Sequence, residues 1–179
     1  MNFWNLLLKA SGWKVVIDQP IPQKCVFCVA PHTSNWDFVL GEFAIRSMGL
    51  TAGFFMKEAW FFFPLGAFFR AIGGIPVKKT HSSLTNAVIE KFKSTDKLIF
   101  AVTPEGTRKP VSTWRRGFLF IAYEAKVPVL LAAFDYKTRT ITVDSSFVPT
   151  GDVEKDLTAI KRHFEDVTPK FPEKFVTGL

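Results

Sequence analysis

Apolar runs of strand length alternate along this chain with segments of helical period, and each is cut off by a turn residue. That alternation limits the fold to strands joined by helical crossovers. The run Lys24-Cys25-Val26-Phe27-Cys28-Val29-Ala30 reads as a buried strand ended by Pro31, because proline cannot donate to a sheet ladder and keeps the residue before it extended. Ser34 or Asn35 caps the helix that follows, which runs to about Met48 and stops at Gly49. Residues 52–56 and 74–77 are further apolar strands. Ser82 or Ser83 caps a helix with Leu84, Val88 and Phe92 on one face and Lys91 and Lys93 outside it. Beyond it come a strand over 97–102, a helix over 116–126 and a strand over 127–134, whose Pro128 suits its first residues. A short strand over 138–143 and a helix over 152–164 complete the series, the helix carrying Val153, Leu157, Ile160 and Phe164 on one stripe. The pattern predicts an α/β fold with a central, mostly parallel or mixed sheet flanked by helices, in an order the sequence does not reveal. At 179 residues and 47% hydrophobic, the chain suits one domain spanning 1–179.

No stretch reaches the ~18 consecutive apolar residues of a membrane-spanning helix. The most apolar region, 53–75, is interrupted by Lys57-Glu58, Pro64-Leu65-Gly66, Arg70 and Gly73-Gly74, so it reads as short elements packed inward or docked on a membrane. Residues 1–14 carry Phe3, Trp4, Leu7, Leu8 and Trp13, which suits a helix at a membrane interface or one covering the core. The start lacks the basic stretch and small-residue cleavage site of a signal peptide. The expected location is therefore cytoplasmic, peripherally associated with the cytoplasmic face of the membrane. The 23 Lys and Arg against 16 Asp and Glu give a net charge of +7, which favours anionic partners. The 20 Phe and 5 Trp choose among these: they suit an acyl-chain pocket or a lipid surface, whereas nucleic-acid binders combine basic with polar residues. No nucleic-acid partner is expected.

Cys25 and Cys28 form a Cys-x-x-Cys pair. Inside a strand, positions three apart point to opposite faces, and no second pair of ligands stands at matching spacing. They are expected to be two buried reduced thiols, with no metal.

Two runs carry chemistry. The first, Pro31-His32-Thr33-Ser34-Asn35-Trp36-Asp37, puts a histidine between a strand end and a helix start and a carboxylate in the first turn. A histidine base must be neutral, with one ring nitrogen free and the other held by a partner. The positive end of the helix disfavours imidazolium, and Asp37 can reach back to the ring. Residues five apart on a continuous helix lie about 140° apart, so the two meet only if His32 sits in the loop before it. Taken singly, His32 would read as a loop histidine and Asp37 as a carboxylate complementing the helix dipole. The second run is Pro104-Glu105-Gly106-Thr107-Arg108. Gly106 lets the backbone approach a ligand and Arg108 offers a forked donor set that suits phosphate, unless the run is only a glycine turn with a solvated arginine.

With these runs in this order, the chain resembles the glycerolipid acyltransferases, the PlsC-like group that includes 1-acylglycerol-3-phosphate acyltransferases. His32 and Asp37 match that family's His-x-x-x-x-Asp motif, and Pro104 through Arg108 match its Pro-Glu-Gly-Thr-Arg motif. Between them, Lys57, Pro64, Gly66 and Gly73-Gly74-Ile75-Pro76-Val77-Lys78-Lys79 follow the order of its second motif, and Val127-Pro128-Val129-Leu130-Leu131 fits its fourth. The likeness covers about residues 25–134. One His-x-x-x-x-Asp is a weak signal; four motifs in order are specific. Two departures bear on the acceptor more than on the reaction. Lys78-Lys79 stand where the family usually has arginine, and lysine is a point charge rather than a fork. Ala132-Ala133-Phe134 continue a strand that the family usually ends with a second proline.

The resemblance implies a glycerolipid-acyltransferase-like fold and direct acyl transfer in phospholipid biosynthesis, from acyl-CoA or acyl-carrier protein to the hydroxyl of a lysolipid phosphate. The acceptor it favours is 1-acylglycerol-3-phosphate, met at an anionic membrane surface. His32, held by Asp37, would take the hydroxyl proton. Arg108 would hold the acceptor phosphate together with Lys57 and Lys79 or Lys78. Glu105 would shape the turn or contact acceptor hydroxyls, and Gly106 and Thr107 would line the site. No metal or cofactor is implied. With no Gly-x-Ser-x-Gly elbow and no base beside either cysteine, a covalent acyl-enzyme is not expected. The phenylalanines of 54–69 are candidates for acyl-chain or membrane contact, and Trp114-Arg115-Arg116-Gly117 for donor phosphates or lipid headgroups, a solvated basic turn being the alternative. Two other functions fit part of the pattern: a noncatalytic lipid-binding, membrane-docked protein, and an acyl thioester hydrolase in which His32 activates water. The His32, Asp37 and Arg108 set weighs against both, since a binding module has no use for a base and water needs no anchor.

Overall fold

The structure of the chain, a computed structural model, describes residues 2–77 and 82–179. Lys78 and Lys79, expected to supply phosphate-binding charge, lie outside the described residues. Seven strands make one mixed sheet: Lys14–Ile17 (β1), Lys24–Ala30 (β2), Gly53–Lys57 (β3), Gly74–Val77 (β4), Leu98–Val102 (β5), Val129–Asp135 (β6) and Thr140–Phe147 (β7). Their order across the sheet is β1-β7-β6-β2-β5-β3-β4. Only β6 and β7 pair antiparallel; every other neighbouring pair is parallel. Among the described residues six helices accompany them: Phe3–Ala10 (α1), Asn35–Ser47 (α2), Leu65–Ala71 (α3), Ser82–Ser94 (α4), Gly117–Ala125 (α5) and Val153–His163 (α6).

β2 is central because its run is apolar on both faces, which suits a strand covered from both sides. Cys25 and Phe27 pack with Ile45 of α2 and Ile99 of β5 on one face. Val26, Cys28 and Ala30 pack with Val88 and Phe92 of α4, Leu119 of α5 and Ile160 of α6 on the other. The two cysteines are thus free thiols on opposite faces. Burial pushes Cys25 up to about 12 and Cys28 higher still, so both stay protonated and unreactive.

Most elements fall where the pattern puts them, with differences at the sheet's ends. β1 was not legible, since Val15 and Val16 are the only half-buried residues of a four-residue edge strand. β7 continues past Val143: Ser145, Ser146 and Phe147 pair with β6, and Asp144 is the extra residue at a register shift between Leu131 and Ala132. The 53–75 region resolves into β3, a 3-10 turn over Glu58–Trp60, α3 and β4. Because β2, β3, β4, β5 and β6 run parallel, their C-terminal ends share one edge, the place where open α/β sheets bind ligands.

Candidate active site

His32 follows β2 at that edge, in the loop before α2. Ser34 caps α2 from an extended conformation, its Oγ accepting from the Trp36 N–H at 3.1 Å. Asp37, at the third helical position, completes a capping box: its Oδ2 accepts from the N–H groups of Ser34 at 2.7 Å and Thr33 at 2.8 Å. The bend that this box imposes brings His32 Nδ1 to 3.3 Å from the same Oδ2. His32 keeps a side chain 18% exposed, while that of Asp37 is 1% exposed. Nδ1 faces the carboxylate and Nε2 lies on the far side of the ring, with no hydrogen-bond partner among the described residues.

Glu105 follows β5, the neighbour of β2, and faces inward. It is 3% exposed, and its Oε1 accepts from the His32 N–H at 2.6 Å. Burial pushes its carboxyl up to about 7, the His32 N–H and ring opposing and the Asp37 charge adding to the rise. The next residue, Gly106, has φ +63, and an ideal Cβ there would fall 2.2 Å from Arg115 Nε. Arg115 therefore lies across the turn, its own N–H donating to the Pro104 carbonyl at 2.7 Å. Arg108 is exposed on the same turn, and neither arginine has an acidic partner among the described residues. Thr107 Oγ1 accepts from the Lys109 N–H at 3.2 Å. Lys57 is exposed at the C-terminal end of β3, on the same edge of the sheet.

Residues 13–134 match the Acyltransferase family. The chain belongs to that family. No curated protein matches it. Among solved structures, the crystal structure of the 1-acyl-sn-glycerophosphate (LPA) acyltransferase PlsC from Thermotoga maritima is similar. Its TM-score is 0.62 at 22% identity, over 90% of this chain and 75% of that one. The likeness shows that this acyltransferase has the PlsC fold.

One residue of the acyltransferase's candidate site escaped the sequence. Tyr136 follows β6, which flanks β2 on the side away from β5, and its Oη donates to Asp37 Oδ1 at 2.5 Å. The tyrosine is fixed in turn by its N–H to the Thr168 carbonyl at 2.8 Å and by an edge-on contact with Trp13 at 4.7 Å between centroids. Burial first, then Asp37, raises its phenol and keeps it a donor. Its only signal was its place just past a strand end. The Trp114-Arg115-Arg116-Gly117 run divides: Trp114 is buried against Phe164 and Phe175, with its Nε1–H on the Val176 carbonyl at 3.2 Å. It is therefore not a lipid contact. Arg116 pairs with Glu154, and Arg115 alone turns toward Gly106. Chemically, the edge offers an oriented imidazole and, on the turn after β5, two guanidinium groups with no acidic partner among the described residues.

Proposed function

We propose that this acyltransferase moves a fatty acyl group from acyl-CoA or acyl-carrier protein to the hydroxyl of a lysolipid phosphate, with 1-acylglycerol-3-phosphate as the acceptor. The observation that carries the proposal is His32 Nδ1 at 3.3 Å from Asp37, with Nε2 unpartnered among the described residues. His32 Nε2 takes the proton of the acceptor hydroxyl as that oxygen attacks the thioester carbonyl. Asp37 stabilises the imidazolium that forms. Collapse of the tetrahedral intermediate expels the thiolate, which receives the proton back from His32. Arg108 holds the acceptor phosphate, with Arg115 across Gly106 as a second fork and Lys57 and Lys79 as further cations. The similar Thermotoga maritima protein is a 1-acyl-sn-glycerophosphate acyltransferase, which supports the choice of acceptor.

Thiol release from palmitoyl-CoA, measured with and without lysophosphatidate while the lipid product is followed, tests the proposal. Release should require the acceptor and fall by about 10²- to 10⁴-fold in His32→Ala. Release independent of acceptor would identify a thioester hydrolase, and lipid binding without release a noncatalytic relative. Among the described residues no helix is long and apolar enough to cross a membrane. The acyltransferase is proposed to meet its acceptor peripherally, on the cytoplasmic face of an anionic bilayer.

A further inference from the structure

The 3-10 turn and α3 form an excursion between β3 and β4, at the edge of the sheet. Two close backbone contacts decide which of its rings are kept inside. A Cβ on Gly66 would lie 2.4 Å from the Phe61 carbonyl oxygen, and one on Gly74 would lie 2.8 Å from that of Phe69 and 3.3 Å from the Phe61 ring. The glycines thus draw Phe61 and Phe69 together at 6.1 Å between centroids, with the Arg70 guanidinium over Phe61 at 5.2 Å. The remaining aromatic residues stay outside. Trp60, Phe62, Phe63 and Phe68 are 51%, 55%, 91% and 57% exposed, and Leu65 joins them. Exposed Lys57 and Arg70 stand at the two ends of the excursion.

We infer that residues 58–71 are the element by which this acyltransferase docks on an anionic bilayer, with Trp60, Phe62, Phe63 and Phe68 in the headgroup layer. A ring as exposed as Phe63 stands on a convex tip, which a deformable lipid surface accepts and a rigid partner does not. The four rings offer roughly 500 Å² of apolar area, short of the ~800 Å² per side of a stable protein interface. Tryptophan beside lysine and arginine is the composition of a lipid interface, and the net charge of +7 adds attraction to anionic headgroups. The excursion also leaves the sheet at the edge that holds His32 and Glu105. By contrast, α1 uses its apolar stripe on its neighbour: Leu8 is buried with Leu40 and Ala44 of α2, and Trp4 meets Phe43 at 6.1 Å and Arg46 at 5.4 Å. That packing places α1 against the protein and leaves Phe3 and Leu6 outside.

The purpose of docking rests on the acyl-transfer reading, but docking itself is measured without turnover. Phe63→Cys, made in the full chain, takes an environment-sensitive thiol fluorophore selectively, because Cys25 and Cys28 are buried. Val148→Cys, on the opposite edge of the sheet beyond β7, serves as control, and Phe3→Cys reports on α1. On adding phosphatidylcholine vesicles containing phosphatidylglycerol, the label at 63 should shift to the blue and that at 148 should not. Phe62→Ser/Phe63→Ser, with an unchanged melting temperature, should bind the vesicles about tenfold or more weakly. No shift at 63, a shift at 3 alone, or a shift at 63 that grows with protein concentration without vesicles would overturn the inference, the last pointing to a second copy of the chain. Loss of the shift with palmitoyl-CoA turnover intact counts against docking alone. A clear shift with no turnover counts against acyl transfer alone.

Discussion

Asp37 gathers two backbone N–H groups, the His32 ring and the Tyr136 hydroxyl on one buried carboxylate. Three of those contacts come from within five residues, which is why the histidine and its carboxylate could be read from the sequence. The fourth comes from 99 residues away and depends on β6 lying beside β2, which no local pattern encodes. Tyr136→Phe leaves Asp37 Oδ1 without its donor, so steady-state kinetics should show kcat/KM reduced about tenfold, and urea unfolding a loss of about 1–3 kcal/mol. Glu105 supplies a prediction in pH. Folding raises its carboxyl from 4.5 to about 7, so the folded chain holds that proton more tightly than the unfolded one. Its contribution is most favourable below about 4.5 and declines as pH rises toward about 7, by roughly 3 kcal/mol in all. Glu105→Gln still accepts from the His32 N–H but does not titrate. Denaturant unfolding near pH 5 and near pH 8 should therefore show a larger decline in the parent chain than in the variant; equal declines would remove Glu105 as the cause.

Among the elements, β2, α2 and β4 were legible because each carries its own punctuation: Pro31 and Ser34 around the first junction, Gly49 after α2, and Gly73-Gly74 before β4. α3 was not, since its seven residues are too few for a helical period to emerge from a nearly continuous aromatic run. What shapes it is a close backbone approach within the excursion, Gly66 against Phe61. Two glycine replacements separate local preference from that fit. In α2, a Cβ on Gly41 meets the Phe134 ring at 3.6 Å, an ordinary contact, so Gly41→Ala should stabilise by about 0.5–1 kcal/mol through the unfolded state. In α3, the same change at Gly66 meets backbone and should destabilise by about 1–3 kcal/mol. Calorimetric melting of the two variants should shift in opposite directions; a shared direction would mean that the close contact at Gly66 relaxes freely.

For the molecule as a whole, the excess of cations over carboxylates gives a net +7 spread over one small domain. Binding to anionic vesicles should weaken several-fold as salt rises from about 0.1 M to about 0.5 M and the screening length shrinks. Binding indifferent to salt would leave the exposed rings to act without help from charge. The class of fold was readable from alternation alone, whereas the sheet order was not, because strand adjacency is decided by which apolar faces meet after the helices have been placed. That order has a consequence in time. β2 leaves a ribosome well before the strands that pair with it, β5 and β6, which lie beyond α2, β3, α3, β4 and α4. Until residue 136 has emerged, this central apolar strand has an open side, and His32 and Asp37 wait without Tyr136. Slow, long-range pairing of this kind makes a nascent chain prone to association, so the His32 site is completed only once β6 and Tyr136 have joined β2.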